Sequence, residues 1–85
     1  MFYTQKRDVR IQQVDGETLV LDEQNGYIHQ FNDTASFVWQ QCDGKSSLTE
    51  IVQRFAREFD LEDFVATKDV SEVIEKLRDL ELLSD

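Results

Sequence analysis

The side chains with which this chain could do chemistry are few: one histidine, His29, one cysteine, Cys42, and an acidic run, Asp60, Glu62 and Asp63. An activated nucleophile needs a base within hydrogen-bond reach and a third group to orient it, and a lone histidine with a lone cysteine leaves little to build one from. Nor can the pair supply the four ligands of a tetrahedral zinc site. The acidic run lacks the spaced oxygen ligands, central glycine and terminal glutamate of a calcium loop. Gly16, Gly26 and Gly44 stand apart, so there is no glycine-rich loop to cradle a phosphate. These residues point away from catalysis, metals and cofactors and toward a binding module. His29 then reads either as a polar contact for a ligand or as a half-buried strand histidine satisfied by an acid. Cys42 falls on the buried side of a helix and behaves as a small hydrophobe, and Trp39 belongs to the core.

The elements that would position a ligand begin with two dipeptides, Asp15-Gly16 and Asn25-Gly26. Each separates runs of alternating apolar residues, and each is the favoured sequence for a two-residue type I′ hairpin turn. Two such turns make a three-stranded antiparallel meander. The first turn sets Val14 opposite Glu17, Ile11 opposite Val20 and Val9 opposite Asp22. The second sets Gln24 opposite Tyr27, Asp22 opposite His29 and Val20 opposite Phe31. One face then carries Val9, Ile11, Val20, Tyr27, His29 and Phe31, and the other Val14, Leu19, Leu21 and Ile28. Tyr27, Ile28, His29, Gln30 and Phe31 form the last strand. It lies at an edge, where unpaired N–H and C=O groups are open to an arriving extended chain.

After Phe31 the apolar period changes from 2 to 3.6. Asn32 or Asp33 caps a first helix with Ala35, Val38, Trp39 and Cys42 on one stripe, which stops at Asp43-Gly44 with Gly44 left-handed. Phe37 lies off that stripe and is expected to reach back to the sheet. Ser47 to Glu50 reads as a capping box opening a second helix, which frays near Asp60. Residues 61–66 read as a connector lying against the core. Thr67 caps a third helix whose wide apolar stripe, Val70, Val73, Ile74, Leu77 and Leu80, ends near Leu82-Leu83. The order is β-β-β-α-α-α, an α+β fold.

With 85 residues the chain suits a single domain, 1–85. Forty per cent apolar residues, including six Phe, one Trp and two Tyr, suffice for a core. One cysteine excludes an internal disulfide. Nine Lys and Arg against eighteen Asp and Glu give a net charge of −9. The basic residues are scattered, which makes nucleic acid a poor partner. No basic-apolar leader or long apolar run is present, so no membrane association is expected and the cytoplasm is the expected location.

The residues Gly26 to Asn32, Thr34-Ala35, Trp39, Cys42-Asp43-Gly44, Glu50-Ile51-Val52, Asp69-Val70, Leu77 and Leu80 to Leu83 together resemble the PqqD-like family. Its pattern runs G-x-x-x-x-L-N-x-T-A-x-x-[IV]-W, then D-G, E-I-V, D-V and L-x-x-L-x-x-L-L, and the resemblance covers about residues 8–83. Phe31 stands where the family most often has Leu, and the Pro-Glu pair of many pyrroloquinoline-quinone members is missing. The resemblance implies a winged helix-turn-helix-like fold that acts without catalysis or cofactor. It implies recognition of the leader segment of a ribosomally made precursor peptide, in quinone or lasso-peptide biosynthesis. The leader would add as a strand beside the third strand of the meander, Tyr27 to Phe31. A maturation enzyme, a radical SAM enzyme or a leader peptidase, would then act on the peptide. By position, Val70, Val73, Ile74 and Leu77 would wall the groove, with Lys76 or Arg78 available for an acidic leader residue. Two other readings stay open: a winged-helix nucleic-acid binder using Arg54 and Arg57, and a structural subunit whose strand edge pairs with its own copy.

Overall fold

The computed structural model describes residues 2–5, 9–15 and 17–84. The chain runs β1 (Phe2–Gln5), β2 (Val9–Val14), β3 (Glu17–Asp22), β4 (Tyr27–Phe31), α1 (Asp33–Gln41), β5 (Asp43–Ser47), α2 (Leu48–Phe59), α3 (Asp63–Asp79) and β6 (Leu83–Ser84). This is the α+β arrangement of meander then helices, with three further short strands. The strands form two three-stranded sheets, ordered β2-β3-β4 and β5-β1-β6.

The first hairpin has the register its turn dictates: Val14 opposite Glu17, Ile11 opposite Val20 and Val9 opposite Asp22. Asp15 takes a positive φ of 51°; its turn partner Gly16 lies outside the described residues. The second hairpin differs. Asp22 stands opposite Tyr27, Val20 opposite His29 and Thr18 opposite Phe31, so residues 23–26 form a four-residue loop instead of a two-residue turn. The cause is the Asp22 side chain. Its carboxylate accepts from the Asn25 backbone N–H at 3.2 Å and from Asn25 Nδ2 at 2.9 Å. The Gly26 N–H donates to the Asp22 carbonyl at 2.8 Å. Only Gly26, at φ 75°, is left-handed in this loop, whereas a type I′ turn needs two such residues. His29 therefore faces Val20 across the strands and does not pair with Asp22. A slip of two residues keeps every side chain on its expected face.

Asn32 caps α1, its Oδ1 accepting the Ala35 N–H at 2.9 Å. Gly44 is left-handed, as its place after α1 suggests, but it sits inside β5. A Cβ built there would come within 2.7 Å of Thr4 Oγ1 on β1. Both the positive φ and the close approach of β1 call for glycine. Gly44→Ala is expected to cost about 1–3 kcal/mol in urea unfolding, because neither conformation nor space accepts a side chain.

Ser47 and Glu50 close the capping box of α2: the Glu50 N–H donates to Ser47 Oγ at 3.2 Å and the Ser47 N–H to Glu50 Oε1 at 3.0 Å. That backbone donor holds the Glu50 carboxyl below its ordinary value of 4.5, and the Lys45 N–H does the same for Asp43, whose ordinary value is 3.8. A carboxylate depressed in the fold stabilises fully above its unfolded value, and that contribution disappears as pH falls through the folded one. Urea midpoints should therefore hold from neutrality down to these ordinary values and drop below them. Glu50→Gln is expected to flatten part of that drop.

α3 begins at Asp63, not after Thr67, so most of the expected connector is helical. Thr67 bonds backward within the helix, its Oγ1 donating to the Asp63 carbonyl at 2.7 Å. The far end is a Schellman motif. Glu81 is left-handed at φ 59°, its N–H reaches the Arg78 carbonyl, and the Leu82 N–H reaches that of Leu77. Leu82 and Leu77 are both buried beneath it. The core gathers Val20 and Phe31 from the first sheet, Val38 and Trp39 from α1, Ile51 and Phe55 from α2, and Val70, Ile74 and Leu77 from α3. The Phe37 ring packs edge-on against Phe55 and Phe59 and borders a cavity that Gln13 and Thr18 of the sheet also line.

Candidate peptide-docking groove

β4 pairs with β3 along one side, and no strand among the described residues pairs with the other. The strand alternates between two environments. On the outward face, Ile28 is 70% exposed and Gln30 donates through Nε2 to Glu17. On the inward face, Tyr27 is 63% exposed, His29 is half-buried and Phe31 is buried, meeting Trp39 edge-on at 5.7 Å. The exposure falls along this face toward Phe31, whose ring is fixed in the core.

A cavity of about 410 Å³ lies along this strand, lined by Ile28, His29, Gln30, Phe31, Asn32 and Ala35 on one side and Lys76 and Leu80 of the α3 end on the other. A second, of about 320 Å³, continues past Tyr27, His29 and Asn25 to Asp79, Leu80 and Glu81. A third, of about 360 Å³, lies between Thr34 and the Asp69, Glu72, Val73 and Lys76 face of α3. His29 and Leu80 border the first two, and Lys76 borders the first and third, so the three form one trough. The His29 and Tyr27 rings stand 6.2 Å apart. His29 Nε2 is buried without a hydrogen-bond partner among the described residues, as is Trp39 Nε1 in the core.

The five β4 residues are thus together beside the trough, and Val73 and Lys76 of α3 line it. Val70, Ile74 and Leu77 do not; all three are buried in the core. The wide apolar stripe of α3 is two narrower ones: 70, 74 and 77 pack inward, while 73, 76 and 80 face the trough. Leu80 is the trough residue that the sequence reading left out, although its place one turn beyond Lys76 was a usable signal. Asp79 and Glu81 carried no such signal, because they follow the helix end that only the Schellman turn locates.

Other candidate groups are committed elsewhere. Burial, then the neighbouring Asp43 charge, pushes the Cys42 thiol up to about 12, which keeps it protonated and unreactive. Arg54 donates to Gln41 Oε1 at 3.1 Å and Ser46 Oγ at 2.7 Å and pairs with Glu50. This basic residue of α2 is therefore held against its own protein. Among the described residues no cluster of three or more His, Cys, Asp or Glu could hold a metal ion, and no helix is long and apolar enough to cross a membrane.

The family model described as Coenzyme PQQ synthesis protein D (PqqD) matches residues 17–83. No curated protein sequence matches significantly. Among solved structures, "Lasso peptide synthetase B1 complexed with the leader peptide" superposes with a TM-score of 0.87 at 21% identity, covering 100% of both chains. "TbiB1 in Complex with the TbiA(beta) Leader Peptide" gives 0.84 at 21% identity, over 95% of this chain and 94% of that one. The solution structure of the PqqD truncation of Methylobacterium extorquens PqqCD, described as a stand-alone RiPP recognition element, gives 0.79 at 18% identity, over 98% and 88%. At these identities the superpositions establish a shared fold.

Proposed function

The chain belongs to the PqqD family, and on that premise we propose that it captures the leader segment of a ribosomally made precursor peptide by strand addition along β4. Residues 1–85 act as one non-catalytic domain in the cytoplasm and deliver the peptide to a separate modifying or processing enzyme, such as a radical SAM enzyme or a leader peptidase. Two of the proteins that share its fold are described in complex with leader peptides. The observation that carries the reading is the unpaired margin of β4 beside a trough completed by α3.

Backbone bonds along the edge supply affinity that any extended chain would share, and alternate side chains entering the trough supply selectivity. Ordering about ten residues costs several kcal/mol, so side-chain anchors must accompany the backbone bonds. Leu80, Val73 and the exposed Tyr27 ring are the apolar surfaces available for them. Calorimetric titration with the leader of a precursor encoded beside this gene should give micromolar or tighter binding, with amide shifts at residues 27–31. Absence of heat and of shifts at high micromolar peptide would overturn it.

A further inference from the structure

The trough is ordered by charge, and we infer that it selects a peptide whose inward-facing side chains run basic, acidic, basic at alternate positions. This inference rests on the docking reading above and names the class of sequence that fits it. Asp79 and Glu81 border the cavity at the Tyr27 end. Lys76 is the single cation of the central cavity, bordered also by Phe31, Ala35 and Leu80. Asp69 and Glu72 border the cavity at the far end. None of these five makes an ion pair among the described residues, so their charges are available to a ligand.

Each position offers more than charge. At the first end the 63% exposed Tyr27 ring and Leu80 provide surface for the stem and planar head of an arginine. At the centre, His29 borders the two cavities that meet there. A ligand carboxylate there has the Lys76 ammonium as its donor, with the His29 ring as part of the wall. At the far end Val73 supports the stem of a second basic residue.

The spacing follows from geometry. Glu72, Lys76 and Leu80 stand one helical turn apart, about 6 Å each. An extended chain advances about 3.3 Å per residue and points alternate side chains to one face. Two residues of strand thus match one turn of α3, and the preferred pattern is [Arg/Lys]-x-[Glu/Asp]-x-[Arg/Lys]. The pattern reads the same in both directions, so it holds for a parallel or an antiparallel peptide. The net charge of −9 adds long-range attraction for a basic partner, but the ordering of signs is what discriminates.

Three labelled, end-blocked nonapeptides test this. All carry valine and threonine at the other positions, and the three alternate positions are Arg-Glu-Arg, Glu-Arg-Glu or Gln-Gln-Gln. In fluorescence anisotropy at low salt the first should bind roughly ten-fold or more tighter than the second, with amide shifts at 27–31, and added salt should narrow the gap. Asp79→Asn/Glu81→Gln should remove most of that preference, whereas Glu58→Gln/Glu62→Gln, which deletes the same charge elsewhere, should leave it. Equal losses from the two double variants would mean attraction to net charge alone and would overturn the inference. Equal affinity of all three peptides, with shifts still at β4, would overturn the charge pattern and leave strand docking intact. No shift at β4 with any peptide would overturn both.

Discussion

Phe31→Ala is expected to lower the free energy of unfolding by about 3–5 kcal/mol. Phe31 is buried, stacks edge-on against the fully buried Trp39, and is the residue through which β4 is fixed to the core. A small domain has a total stability on the order of 5–15 kcal/mol, so the variant should be partly unfolded at physiological temperature. Urea or thermal unfolding followed by tryptophan fluorescence reports the loss directly, since Trp39 is the only tryptophan. A change under about 1 kcal/mol would show that the ring packs less closely than its burial indicates.

The second large effect concerns binding. In an antiparallel pair successive residues direct their N–H groups alternately toward the partner strand and away from it. Ile28 and His29 are adjacent, so one of them directs its N–H toward β3 and the other toward the open margin. Of Ile28→Pro and His29→Pro, the variant that removes an inward N–H should be strongly destabilised. The other should fold and lose leader binding by about ten-fold or more, because proline deletes the donor and its ring blocks the approaching chain. Circular dichroism sorts the two, and calorimetry with the leader peptide reads the loss. Full affinity in the folded proline variant would place the docking surface elsewhere.

Much of this architecture was legible in local sequence, and the exceptions have identifiable causes. Asp15-Gly16 located the first hairpin to the residue, and the Ser47–Glu50 box located the start of α2, because each signal is self-contained over three or four residues. Asn25-Gly26 located a turn but not its length, since a side chain outside the dipeptide, Asp22, captured Asn25 and closed a larger loop. α3 started earlier than expected because Glu62 caps it without a side-chain bond and so leaves no mark in the sequence. Its end was blurred because glutamate, not glycine, holds the left-handed position at 81. β5 is Asp-Gly-Lys-Ser-Ser, a composition typical of loops, and it is extended because β1 lies beside it. Such pairing is tertiary and invisible to local patterns.

The candidate site divides the same way. The edge strand followed from the meander alone. The trough side of α3 did not, because Val70, Val73, Ile74, Leu77 and Leu80 are chemically alike. Only the angle at which the helix meets the sheet decides which of them pack inward.

The pairing of β1 with β6, Thr4 opposite Ser84 and Gln5 opposite Leu83, brings residues 4–5 and 83–84 side by side, in a different sheet from the one that holds β4. A module tethered next to either of these two strands would hang from one common anchor point. The backbone is likewise suited to a direct link from β6 to β1 with a new opening at the bend around Asp60, leaving the β4 edge in one piece.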